Sequence, residues 1–190
     1  MARILTAANF RPRIEKLIVG LPEETDRVWL VAIYVSLQMA AELGYSADEF
    51  HKLPTSERTI ALKSALARGL TSEVQTESER HLRAGYYFNN GLFRMVALAE
   101  ISLNLLFKAC TDIDPPKDYW WLSRWYLKEF GNSLSYIARA RKRANRMKHQ
   151  ERDLDEILPL ESMKDGLAAF NELLELMEKL AKSNQAAAED

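Results

Sequence analysis

Arg143 and His149 stand six residues apart, with Asn145 and Lys148 between them. This set pairs a permanent cation with the one side chain whose charge changes near neutral pH. Cleavage of RNA without a metal asks for little more: a base for the 2′-OH proton, an acid for the leaving 5′-oxygen, and a cation on the phosphorane. Six residues on a straight helix amount to about 600° of rotation, so Arg143 and His149 point about 120° apart. They converge only through a helix break, a wrapped Arg side chain, or a second subunit. Asn145, four residues before His149, already shares its face. The plain alternative for His149 is a solvated residue near the end of a charged helix, where it complements the dipole.

The surrounding stretch, residues 133–152, is predicted to be a helix. From Arg139 to Arg152 it carries seven Lys/Arg against one acid, Glu151, in a chain of net charge −1. Leu134, Ile137, Ala140, Ala144 and Met147 recur at steps of three and four, so one side packs while the arginines line the others. Arg139, Arg143 and Arg146 fall at i, i+4, i+7 on one ridge, and with Arg141 they form a candidate footprint for nucleic-acid phosphates. The competing reading is a solvated face neutralised nearby, since residues 151–190 hold eleven Asp/Glu and four Lys/Arg, a balance of 4 − 11 = −7.

Glu100 shares a stripe with Phe93, Ala97, Asn104 and Phe107, where a carboxylate is costly unless paired. Its partner is expected among Arg94, Arg139, Arg141 and Arg143, either as a tie between helices or to orient Arg143 or His149. Tyr119, Trp120, Trp121, Trp125 and Tyr126 form an aromatic cluster suited to core and subunit interface, or else to stacking bases. His51 and His81 show no partner at ligand spacing, so no metal is expected. No cofactor is expected either. A glycine-rich phosphate loop is missing, and the single Cys110 lies in an apolar run that assembles no catalytic triad.

These residues need helices to position them. With 47% hydrophobic content, 190 residues suffice for one substantial core without disulfides. The longest apolar stretch, 28–41, falls short of the ~20 residues of a membrane span. No signal peptide is evident, and a cytoplasmic location is expected. Period-2 alternation is absent, so the pattern is all-α. A first helix holds Pro12 and ends at Gly20; a long one covers 23–43; a short one follows the Ser46 to Glu49 capping box; another spans 56–68. Ser72 to Gln75 is a further capping signature, opening one very long helix to Cys110 or two joined by a kink near Gly91. Pro115-Pro116 marks a loop, an aromatic helix covers 118–131 and can continue into the basic stretch, and an amphipathic helix spans 162–181 after Pro159. Residues 1–70 are expected to pack on the same core as a bundle at 71–182, with 183–190 a frayed polar tail.

This order resembles the HEPN domain (higher eukaryote and prokaryote nucleotide-binding): a long helix with a buried acid and a Lys near its end, a second helix after a loop, Arg-x(5)-His, a link, and a closing amphipathic helix. The matching residues are LFRMVALAEISLNLLFK at 92–108 and RANRMKH at 143–149. The resemblance covers about residues 72–181 and leaves 1–70 outside. It implies a four-helix, often dimeric bundle whose members include metal-independent ribonucleases of toxin and defence systems, besides noncatalytic nucleotide- or protein-binding relatives. In the family's nucleases the Arg and His of two subunits meet at the dimer interface. Carried over, Arg143 and His149 would be catalytic, with Asn145, Glu100 and Lys148 supporting them. A polar residue commonly follows the Arg in the family, whereas here Ala144 does and Asn145 comes one later. The implied partners are RNA or a nucleotide, a second copy of the chain, and an antitoxin or other protein.

Overall fold

Capping residues and glycines cut the chain into helices. The computed structural model describes residues 7–21, 23–46, 49–69, 73–148 and 162–189. A 3-10 turn at Ala7–Phe10 leads into α1 (Arg11–Gly20), α2 (Glu24–Glu42), α3 (Glu49–Lys52), α4 (Thr55–Arg68), α5 (Glu77–Thr111), α6 (Tyr119–Phe130), α7 (Ser135–Lys148) and α8 (Met163–Glu189). The protein is therefore all-α, and among the described residues no helix is long and apolar enough to cross a membrane.

The 35 residues of α5 form one unbroken helix around which the others are arranged. It begins at Thr76, whose hydroxyl accepts from the Glu79 N–H at 3.1 Å, four residues beyond the capping signature at Ser72. Thr76 to Glu79 is itself a Thr-x-x-Glu sequence, and it caps the helix that forms. The helix runs without a break through Asn89-Asn90-Gly91. Gly91 is where α2 crosses: a Cβ there would stand 3.1 Å from Cβ of Ser36 and 3.6 Å from the Ile33 carbonyl oxygen. The glycine permits close approach, and packing outweighs its poor helix propensity. Asn90 donates to Ser36 Oγ at 3.3 Å, and Arg80 lies against Gly44, so α2 runs antiparallel to α5.

One apolar core unites Ile14 and Leu17 of α1, Leu30, Ile33 and Leu37 of α2, Phe88, Leu92 and Leu103 of α5, Ile137 of α7, and Phe170 and Leu173 of α8. Each such side chain contributes roughly 1.5–3 kcal/mol when fully buried. Residues 1–70 thus supply part of the same core, and α2 is a full member of the bundle. Arg13 of α1 reaches α8 with a forked bond to Glu178 at 2.8 and 3.0 Å. At the other end, α4 is fastened to α5 by Glu79, wholly buried and ion-paired with both Arg68 and Arg83.

Two ends differ from the sequence expectation. Gly131 adopts φ +69 and closes α6, so that helix does not run into the basic stretch. In contrast, α8 continues to Glu189, through the polar residues expected to fray, where Ala186, Ala187 and Ala188 favour helix.

Candidate functional site

The basic helix α7 is set in place by its neighbours before any of its arginines act. It has no acid in its own first turn. Glu172 of α8 supplies one, accepting from the Tyr136 and Ile137 backbone N–H groups at 3.1 and 2.9 Å. An anion at a helix N-terminus satisfies orphan donors and complements the dipole. Asp118 does the same for α6, accepting from the Trp120 and Trp121 N–H groups at 2.8 and 3.2 Å.

Arg143 does not lie on an outward ridge with Arg139 and Arg146. It is 1% exposed and is the largest of the fully buried side chains. Its Nη2 and Nε donate to Asn89 Oδ1 of α5 at 3.1 and 3.3 Å, and its guanidinium sits 5.7 Å from the Phe88 ring. Phe88 is stacked in turn on Tyr45, centroids 3.9 Å apart. The physical reason is rotational. Ile137, Ala140 and Ala144 set the packed arc of α7, and Arg143 falls at its edge, where a long stem can turn inward onto a polar partner.

Arg141 occupies the opposite edge of that arc. Its Nε donates to Glu100 Oε1 at 2.5 Å while its guanidinium covers the Tyr119 ring at 4.8 Å, so of the four candidate partners for Glu100 the structure selects Arg141. Glu100, Asn104, Lys117, Tyr119 and Arg141 line a small cleft of about 100 Å³. Burial pushes the Tyr119 hydroxyl up to about 12, so it stays protonated at neutral pH.

Most of the remaining basic side chains of α7 face outward. Arg139, Lys142 and Lys148 are exposed, as is Asn145, and Arg146 is half-buried. Arg139 stacks on the neighbouring Tyr136 at 5.0 Å. On the adjoining surface of α6, Arg124 and Lys128 are also exposed. Residues 119–148 therefore hold eight Lys/Arg against the single acid Glu129, a balance of 8 − 1 = +7. His149, the second half of the expected catalytic pair, lies outside the described residues. Asn145 and Lys148 are the members of that set seen in the open, and Arg143 the member enclosed.

The aromatic cluster divides. Trp125 packs against Phe107 and Phe130 at 4.9 and 5.9 Å, and Tyr126 is buried with its hydroxyl accepting from Lys179 Nζ at 2.9 Å. Trp120 and Trp121 keep exposed surface, 53% and 43%. Core packing thus takes part of the cluster and leaves two indoles outside.

The expectation of a kink near Gly91 gave Asn89, two residues before it, no role in the site. A signal did exist. Asn89 and Glu100 are eleven residues apart, which on a helix is three turns plus about 20°, so α5 presents two half-buried polar side chains on one face. Each takes an arginine of α7. Compared with protein-family models, with curated proteins and with solved structures, the chain matches none.

Proposed function

We propose that this protein is a noncatalytic HEPN-like helical module that binds nucleic acid through the outward face of α7 and the adjoining side of α6. The observation that carries the reading is the separation of roles among the arginines. Arg143 is buried against Asn89 and Phe88, whereas Arg124, Lys128, Arg139, Lys142 and Lys148 face solvent, with Glu129 the single acid within residues 119–148. An exposed cationic surface takes phosphates at any sequence and releases counterions in doing so. A cation that stabilises a phosphorane must reach the phosphate, and a guanidinium 1% exposed with its Nε and Nη2 donors on Asn89 is engaged elsewhere. The homodimer belongs to the same proposal. Val19, Val28, Val31 and Val35 are exposed around an open apolar hollow of about 900 Å³ that a second copy would cover.

The test is titration of labelled RNA with purified protein in EDTA over a range of salt, with gel analysis of the RNA and light scattering of the same samples. Expected are binding that weakens with salt, intact RNA, a dimer mass, and a salt slope reduced by about one when Lys142→Ala removes a phosphate contact. Cleavage in EDTA that vanishes in both Arg143→Ala and His149→Ala would replace this reading with a metal-independent ribonuclease of toxin or defence type. A monomer mass would remove the dimer clause alone.

A further inference from the structure

A groove runs between α6 and the start of α7, walled by Trp120, Ser123, Arg124 and Leu127 on one side and by Leu134, Ser135 and Ala138 on the other. Its volume is about 290 Å³, the scale of one flat ring system with its sugar, and most of its accessible lining is apolar. The Trp120 indole is 53% exposed along this wall. It is braced rather than loose: the nearly buried Tyr119 ring meets it edge-on, centroids 5.5 Å apart and planes at 78°. Trp120 shares this wall with Leu127, itself 48% exposed, so the groove presents a contiguous apolar surface with a braced ring to a flat ligand.

The groove opens onto the cationic face. Lys142 and Asn145 follow Ala138 at i+4 and i+7, so they continue the groove's wall along one side of α7, about 10 Å from Ala138 to Asn145. Arg124 stands within the groove, one helical turn from Trp120. An aromatic face, an arginine beside it, and a track of exposed cations leading away is the arrangement that holds a base by stacking and its neighbours by their phosphates. A paired base in a duplex keeps its faces stacked and cannot enter. We infer that the α6/α7 groove is a base-stacking subsite for single-stranded nucleic acid, with Trp120 as the platform, Arg124 as the nearest cation, and Lys142 on the phosphate track. This inference rests on the nucleic-acid reading proposed above.

The test uses the full chain and a fluorescein-labelled oligouridylate of about 12 nucleotides, free or paired with oligoadenylate, read by anisotropy and by quenching of tryptophan emission. The inference expects tighter binding of the single strand. Trp120→Ala should weaken that binding by about 5- to 100-fold, Trp120→Phe should restore most of it, and Trp121→Ala, outside the groove, should leave it near wild type. Far-UV circular dichroism checks that each variant is folded. Equal affinity for single strand and duplex, with Trp120→Ala unchanged while Lys142→Glu weakens both, overturns the stacking subsite and leaves the cationic-face reading standing. Failure of the wild type to bind either probe overturns both.

Discussion

Truncating Arg143 separates a structural arginine from a catalytic one by magnitude. Arg143→Ala removes a charged donor from Asn89, with bonds of 3.1 and 3.3 Å to one acceptor that count as a single interaction of roughly 1.5–3 kcal/mol. It also removes the guanidinium from the Phe88 ring, about 1 kcal/mol. A long buried stem disappears as well, leaving a cavity that costs roughly 2 kcal/mol. These contributions overlap, so about 4 kcal/mol is expected in total, equivalent to a fall in Tm of roughly 10 °C for a chain of this size. Urea unfolding followed by far-UV circular dichroism measures it, with Lys142→Ala as the surface comparison, expected within about 0.5 kcal/mol of wild type. A double-mutant cycle with Asn89→Ala should return a coupling of roughly 1–2 kcal/mol. An Arg143→Ala protein within about 0.5 kcal/mol of wild type, with no coupling to Asn89, would refute the reasoning, because a guanidinium held as described cannot be removed so cheaply.

Two further outcomes follow from packing and charge. Gly166→Ala should destabilise by about 1–2 kcal/mol in thermal or urea unfolding, since the new Cβ would stand 2.6 Å from Phe88 Cε2 and Phe88 is pinned by its stack on Tyr45; the helical preference for Ala offsets only part of the clash. Glu79 gives a pH signature: burial works to raise its carboxyl, but hydrogen bonds from Arg83, the Gln75 N–H and Arg68 outweigh that and hold it below the usual carboxylate range. A depressed folded-state value means its stabilising contribution is complete above the unfolded carboxylate range and is lost as pH falls through the folded value. Unfolding midpoints should therefore drop more steeply on acidification in wild type than in Glu79→Gln, and parallel acid profiles would contradict the assignment.

The helical character of the chain was legible locally. Gly20, Gly44, Gly69 and Gly131 stand at or just beyond helix ends, Asp118 caps α6 through backbone N–H groups within three residues of it, and the Pro115-Pro116 pair lies in the α5/α6 loop. These signals are short-range, carried by φ preferences and side-chain oxygens that act within one turn. The start of α5 was less legible, because Ser72 and Thr76 both head capping sequences, and only the fastening of Glu79 to Arg68 and Arg83 favours the second.

The site was legible in part and for a different reason. Periodicity located the packed arc of α7, and Glu100 was recognised as needing a cation because a carboxylate on an apolar stripe must be paired. Which arginine answers it, which arginine turns inward, and which tryptophans stay in water depend on where α5 and α6 lie against α7. The spacing of Arg139, Arg143 and Arg146 is compatible with one outward ridge, yet Asn89, fifty-four residues before Arg143, draws the middle one into the core. Composition and period determined that this protein is a helical assembly with a concentrated cationic element. The tertiary structure alone decided which of those cations remain available, because a long side chain at the edge of a packed arc goes to water or to a polar partner according to what the neighbouring helix offers.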